Sequence, residues 1–264
     1  MTDRADEELV ASWGAAPIGI LAWRVRDRPM AAPVTPMLSA SGWPTVTSTL
    51  SYVRKIELLR ADPRAGLLAG GVQIVGDASI EVDRNGERFV RELLAQERAK
   101  FPPTAQIEAI PFHRRLLPWY FGRLIADVAP VRVIEANESD AVTLVTLDAD
   151  GYPAIVPIPM VSPDQFDADQ VDLSSTLPVG PPADGPAILL AHRESDDLSV
   201  LAQRTARGVV RDGVLEVERR AGSLDLKRLG MIGQLKELWR LRGLAKRHQD
   251  RLDALGRGDR RGPR

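Results

Sequence analysis

Four hydroxyl side chains and two cations cluster in one short stretch of the first third of the chain. They are Thr47, Ser48, Thr49, Ser51, Arg54 and Lys55. The β-branched and hydroxyl residues predict a strand that ends near Thr49, and the residues from Arg54 onward predict a short helix. Hydroxyls beside cations at a helix start supply the donors and the charge that a phosphate group binds. The competing interpretation is a solvated helix with an ordinary Arg-Lys pair.

The bulk composition narrows the classes of protein to consider. The chain has 264 residues, 44% of them hydrophobic, which is enough for one large or two small domains. A net charge of −1 and 5% aromatic residues argue against nucleic-acid binding. The absence of cysteine excludes disulfides, thiolate catalysis and iron–sulfur clusters. The acidic N-terminus lacks a signal-peptide pattern, and no apolar run is long enough to span a membrane, so we expect a cytoplasmic protein.

The elements that would position this cluster are mostly strands, and their order is repeated. The first series begins with an apolar strand (18–23), a proline-bearing extended segment (29–38), the hydroxyl strand (44–49) and its helix. Two further strands follow. The helix should stop at Asp62-Pro63, and Gly76 in the last strand suggests a bulge. Strands of similar character follow at 141–147, 152–161, 170–176, 187–191 and 203–210.

The spacing of prolines supports an internal repeat. Pro29 and Pro33 recur as Pro153 and Pro157, 124 positions later. The same offset pairs Ile20 with Leu144 and Leu21 with Val145. We interpret this as a degenerate repeat whose second copy lacks the helix and the Arg-Lys pair.

The C-terminal part is basic and amphipathic. Residues 224–252 predict a helix with an apolar stripe, either docked on the preceding sheet or placed against a membrane surface or partner. The predicted organisation is a first unit (1–136), a second, degenerate unit (137–222), a basic helix (223–255) and a disordered tail (256–264).

The motifs resemble the pyridoxamine 5′-phosphate oxidase-like split β-barrel family, which includes flavin- and deazaflavin (F420)-dependent oxidoreductases and haem-degrading relatives. The family element looks like Thr-Asn-x-x-Ser-Arg-Lys-x-x-x-Leu-x-x-Asn-Pro. The matching residues here are Thr49, Arg54, Lys55, Leu59, Asp62 and Pro63, and Ile74-Val-Gly76-Asp-Ala78 resembles a second family strand. Leu50 and Val53 depart from the motif, which has asparagine and serine there. The resemblance is carried by residues 17–82.

The resemblance implies a mainly β fold with helices (α+β), in which two tandem split β-barrel repeats form an intrachain pseudo-dimer. It places the phosphate of FMN or F420 on Thr49, Arg54 and Lys55, with help from the neighbouring hydroxyls. The implied function is hydride transfer between that cofactor and an unidentified small molecule, by a homodimer or pseudo-dimer. Neither Tyr52 nor His113 is marked as an acid or base. A non-enzymatic cofactor-binding or storage protein, or a haem protein using His113, His192 or His248, remains an alternative.

Overall fold

The computed structural model describes residues 4–101, 103–108, 117–137, 142–158, 166–174, 182–196, 200–226 and 231–258. The helices in these ranges are α1 (Arg4–Ala15), α2 (Val53–Ala61), α3 (Leu94–Lys100), α4 (Pro103–Glu108), α5 (Pro118–Phe121), α6 (Met231–Arg247) and α7 (Gln249–Gly258). A π-helical segment, Phe89–Leu93, leads directly into α3. The strands are β1 (Gly19–Val25), β2 (Arg28–Val34), β3 (Met37–Leu38), β4 (Pro44–Thr49), β5 (Arg64–Ala69), β6 (Val72–Asp83), β7 (Arg123–Glu135), β8 (Val142–Leu147), β9 (Pro153–Pro157), β10 (Gln170–Asp172), β11 (Gly185–Glu194), β12 (Leu201–Arg211) and β13 (Val214–Ser223).

The strands form two antiparallel sheets with the same order. The first sheet runs β2-β1-β5-β6-β7-β4-β3, and the second, read from its β9 edge, runs β9-β8-β11-β12-β13-β10. Each strand of the second sheet thus has a counterpart in the first, and β3 is an addition at one edge. Together with the helices, these two half-barrel units confirm the predicted fold class, which is mainly β with helices.

Prolines and glycines occupy corresponding places in the two sheets. The edge strands β2 and β9 carry the prolines, which cost no ladder hydrogen bond where the backbone has no partner. The pairing of β6 with β7 shifts between Val75 and Gly76, and the pairing of β12 with β13 shifts between Arg207 and Gly208. The sequence-predicted irregularity at Gly76 is therefore present, and it has a counterpart in the second unit.

The structure changes one detail of the predicted alignment. Leu21 packs in the core of the first unit and Leu144 in the core of the second, whereas Ile20 and Val145 pack between the units. Leu144 therefore corresponds to Leu21 and not to Ile20. Because alternate residues of a strand face opposite sides, a slip of one residue exchanges core and interface positions. The offset of 124 does describe the edge strands, where Pro29 pairs with Arg24 and Pro153 with Leu147 beside the two hairpin turns.

Hydrophobic burial is divided among two cores and the contact between the units. That contact is small and apolar, and its buried residues are Ile20, Ala22, Ala31, Leu68, Val145, Ile155, Ile188 and Leu190. Gly66 allows the closest approach, because a Cβ there would lie 2.6 Å from the carbonyl oxygen of Pro153. Strands β1, β2 and β5 of the first unit thus face strands β8, β9 and β11 of the second.

The C-terminal region forms two helices where the sequence predicted one. Helix α6 ends at Arg247 and α7 begins at Gln249, with His248 between them. Both dock on the first unit, where Ala245, Leu252 and Leu255 are buried in its core. Helix α7 extends to Gly258, into the segment predicted as a disordered tail (256–264), and residues 259–264 lie outside the described residues. No helix in the described part of the chain is long and apolar enough to cross a membrane.

Two smaller expectations concern the segment between β6 and β7. The apolar spacing over 87–100 predicts a helix, and the structure is helical throughout this span, with the π-helical segment inside it. The apolar residues from Trp119 onward predict a strand, but that strand begins only at Arg123, because the preceding residues form α5. The unit boundaries proposed from the sequence stay predictions.

We expect alanine at either bulge glycine to destabilise the protein. A Cβ at Gly76 would lie 2.1 Å from the oxygen of Ala129, and one at Gly208 would lie 1.7 Å from the oxygen of Glu216. The backbone of the partner strand must move, so Gly76→Ala and Gly208→Ala should each lower the free energy of unfolding by about 1–3 kcal/mol in urea titrations. Gly243→Ala is the control, because a Cβ there meets nothing within 4 Å. Equal stability of all three variants would contradict this account of the bulges.

Candidate functional site

A cavity of about 270 Å³ lies beside the hydroxyl strand, where the two units meet. Its walls come from the start of β1, the end of β2, strand β4, the start of α2, the end of α3 and the β11–β12 hairpin. The lining residues are Pro17, Ile18, Pro33, Val34, Thr35, Thr47, Ser48, Thr49, Tyr52, Lys55, Lys100, Phe101, Glu194 and Leu201. Four of the six sequence-predicted site residues are in this set.

The hydroxyls of β4 supply polar groups to one wall. Thr47 and Thr49 are two residues apart, so they share a face of the strand. The Oγ1 of Thr49 is shielded from solvent and has no hydrogen-bond partner among the described residues. The Ser48 hydroxyl is already engaged, because it donates to the carbonyl oxygen of Tyr52 (3.2 Å). A buried hydroxyl without a partner is costly, so Thr49 is suited to a polar ligand group.

Lys55 brings a positive charge into the cavity. It sits in the first turn of α2, whose preceding residue, Tyr52, offers no side-chain cap to the free N–H groups. Among the residues that the structure describes, no carboxylate forms an ion pair with Lys55. Burial disfavours the charged amine and lowers the pKa of Lys55 to about 8. An unpaired, desolvated ammonium beside free hydroxyls is an anion-binding arrangement.

A second lysine, which the sequence did not predict, faces the same cavity. Lys100 is the last residue of α3, and its Nζ donates to the carbonyl oxygens of Pro36 (2.6 Å) and Gly14. Burial lowers its pKa to about 8 as well. No sequence spacing links Lys100 to Lys55; the chain fold alone brings α3 to the cavity.

The other two predicted residues lie elsewhere. The side chain of Arg54 is 73% exposed, and its nearest acidic neighbour is Glu57, 3.9 Å away on the same helix. The hydroxyl of Ser51 donates to the carbonyl oxygen of Leu241 in α6 (2.9 Å). Ser51 therefore anchors the C-terminal helix, and Arg54 points to solvent. Leu50 and Val53, the two departures from the family motif, are buried in the core of the first unit.

The second unit closes one side of the cavity. Glu194 ends β11 and Leu201 begins β12, and both line the cavity although they belong to the other sheet. The Oε2 of Glu194 also accepts a hydrogen bond from the Nδ1 of His192 (3.2 Å). With Lys55, Lys100 and Glu194 as its charged residues, the lining carries an excess of one positive charge.

Neither of the two described histidines lines this cavity. His192 lies near the end of β11, and His248 lies at the junction of α6 and α7. His113 lies outside the described residues. Tyr52, the other acid–base candidate considered from the sequence, does line the cavity, and it is half exposed.

Comparisons with known proteins found structural neighbours only. No family model matches the chain, and the search of curated proteins found no match. A pyridoxamine 5′-phosphate oxidase-related, FMN-binding protein from Nostoc punctiforme is 10% identical, with a TM-score of 0.33 over 57% of this chain and 91% of its own. An FAD-binding protein from Mesorhizobium loti is 17% identical, with a TM-score of 0.31 over 50% and 92%. HutZ, the haem storage protein from Vibrio cholerae, is 14% identical, with a TM-score of 0.35 over 50% and 95%. Each likeness thus involves about half of this chain.

Proposed function

We propose that the chain is a redox protein that binds FMN or F420 in the cavity between its two units. The observation that carries the proposal is the pairing of Lys55, which has no acidic partner in the described structure, with the unsatisfied hydroxyl of Thr49. Lys55, Lys100, Thr47 and Thr49 would hold the cofactor phosphate, and the first N–H groups of α2 would add donors. The bound cofactor would supply hydride transfer to an unidentified small molecule.

The cavity suits the phosphate end of such a cofactor. Its volume of about 270 Å³ is slightly below the range of about 300–1,000 Å³ usual for small-molecule pockets. A phosphate and part of its chain fit within it, so the ring system would extend outside. Leu201 and Phe101 provide apolar contacts, and Glu194 disfavours a second anionic group on its side of the cavity.

We also infer that the two units are a tandem repeat that acts as an intrachain pseudo-dimer. The shared strand order and the matching bulges support this inference. Within one chain, the first unit supplies both lysines and the second supplies Glu194 and Leu201. One chain therefore contributes both sides of the cavity, as two subunits of a homodimer would.

A cofactor-binding or storage protein without turnover is the alternative within the same site. It is favoured by the small number of acid–base groups in the lining besides the two lysines: Glu194 is paired with His192, and Tyr52, the one phenol in the lining, is half exposed. Tight binding of FMN or F420 without oxidation of a reductant would favour this alternative. The haem hypothesis has no support from the cavity, because neither described histidine lines it.

Cofactor titration tests the proposal. The purified full chain should change the absorbance and fluorescence of FMN or F420 with a dissociation constant in the micromolar range or below. Riboflavin, which lacks the phosphate, is the matched control ligand and should bind at least about tenfold more weakly, since charged hydrogen bonds to phosphate are lost. Equal binding of FMN and riboflavin, or no binding of FMN and F420 at tens of micromolar, would refute the proposed site.

The affinity should fall as the pH rises above 8. Burial holds the pKa of both Lys55 and Lys100 near 8 in the free protein, and a bound phosphate dianion favours their charged forms. Binding is therefore strongest below pH 8, and between pH 7 and pH 9 each lysine should weaken it by up to about tenfold. FMN is the ligand for this measurement, because its phosphate monoester stays a dianion over this interval. Dissociation constants measured at pH 7, 8 and 9 check this, and a flat profile would contradict it.

A further inference from the structure

A second cavity, of about 350 Å³, lies at another part of the contact between the units. Its charged lining residues are Arg28 from β2, Arg207 from β12, and Glu218 and Arg219 from β13. It shares no lining residue with the first cavity. Arg28 and Glu218 pair with each other across the units at 2.5 Å, so Arg207 and Arg219 leave an excess of two positive charges.

Arg207 is a cation without a carboxylate. Its Nε is shielded from solvent and has no hydrogen-bond partner in the described structure. Burial, and then the charge of Arg219, lower its pKa. Arg207 and Arg219 are also direct register partners on β12 and β13, where like charges are destabilising. The free protein therefore holds two facing cations beside a cavity.

The fold itself does not require an arginine at this position. Arg207 directly precedes the bulge glycine Gly208, and in the first unit the residue before the bulge glycine Gly76 is Val75. Val75 is 2% exposed, so an apolar side chain fills the corresponding place. A half-buried, unpaired cation with a shielded Nε, at a place where valine suffices, points to a ligand.

We propose that this second cavity binds a small dianion, with a phosphate group held between Arg207 and Arg219. The planar guanidinium offers paired N–H donors that match the oxygens of phosphate. A bound dianion would satisfy the Nε of Arg207 and neutralise the two facing charges. The Arg28–Glu218 pair ties the cavity wall to the first unit, so occupancy would also bridge the two units. This site does not depend on the cofactor proposed for the first cavity.

Calorimetric titration with inorganic phosphate at pH 7.5 and constant ionic strength tests the proposal. The titrations use the full chain carrying Lys55→Met, which removes one of the two cations of the first cavity and so lowers the contribution of that cavity to phosphate binding. Adding Arg207→Met should weaken phosphate binding at least about tenfold. The matched control adds Arg193→Met in place of Arg207→Met. Arg193 is exposed on the same sheet and lines neither cavity, so this change should alter the phosphate affinity less than twofold.

Two results would overturn the proposal. One is a Lys55→Met protein that binds no phosphate at tens of millimolar; the other is unchanged affinity after Arg207→Met. If Arg207→Met does not fold, Arg219→Gln decides in the same way, because it removes the opposite cation at an exposed position. Loss of FMN or F420 binding in Lys55→Met with phosphate binding retained would show that the two sites are separate. Loss of both would assign the phosphate to the first cavity and refute the second.

Discussion

Replacing Lys55 with methionine is expected to weaken FMN or F420 binding by about one to two orders of magnitude. A charged hydrogen bond to phosphate contributes about 1.5–3 kcal/mol, and about 1.4 kcal/mol corresponds to a factor of ten. The same change should stabilise the cofactor-free protein, because the folded state disfavours the charged amine, as its lowered pKa shows. At pH 7 we expect the free energy of unfolding to rise by about 1–2 kcal/mol. This is less than the pKa shift alone implies, because the Lys55 side chain is partly exposed. Urea titration and cofactor titration measure the two effects.

Arg54→Met is the matched control for this variant. It removes the same charge from the next residue of the same helix, but the Arg54 side chain points to solvent. We expect less than about a threefold change in cofactor affinity, the size of a screened surface effect. If Arg54→Met weakens binding as much as Lys55→Met, then Arg54 turns toward the phosphate as the family motif implies. If neither variant changes affinity, the first cavity is not the phosphate site.

The largest loss of stability is expected from Glu97→Gln. Glu97 and Arg123 form an ion pair inside the first unit, with 2.8 Å between Oε1 and Nη2, and they are 7% and 2% exposed. Thr104 and Tyr120 donate to the same carboxylate, and the guanidinium lies 4.0 Å from the ring centre of Phe89. Removing the charge of Glu97 leaves a buried, uncompensated arginine, which costs about 3–5 kcal/mol. Urea titration should show this loss.

The effect of Glu97→Gln should also reach the first cavity. Glu97 and Lys100 belong to the same short helix, so loosening α3 displaces the second cation. We expect the double variant Glu97→Gln/Arg123→Met to recover part of the stability, because no unpaired charge remains. Glu8→Gln is the control, since its ion pair with Arg4 is fully solvated, and it should cause no measurable loss. If Glu97→Gln lowers the free energy of unfolding as little as Glu8→Gln does, the stabilising role assigned to the Glu97–Arg123 pair is contradicted.

Local backbone chemistry was readable from the sequence. The stop of α2 at Asp62-Pro63 follows from proline geometry, and the structure ends that helix at Ala61 with an extended Asp62. The prolines of β2 and β9 marked extended segments, and Gly76 marked a bulge, because each residue type permits few backbone arrangements. The fold class came from the family that the order of these local signals resembles.

Side-chain direction was much less accessible. Arg54 and Lys55 are adjacent in a motif that treats them alike, but on a helix adjacent side chains point about 100° apart, and Lys55 alone faces the cavity. Lys100 was missed because it reaches the site through tertiary packing of α3, which has no periodic signature. The slip between Ile20 and Leu21 has a similar cause: both are apolar, so hydrophobicity alone could not assign the faces.

The return of the C-terminal helices to the first unit affects the order in which the protein can be completed. Ala245, Leu252 and Leu255 fill the core whose strands begin at Gly19. On the ribosome, the first half-barrel emerges long before these residues are synthesised, and its core stays open during translation of the entire second unit. The first half-barrel is therefore synthesised before the second unit, but its core is completed only after it.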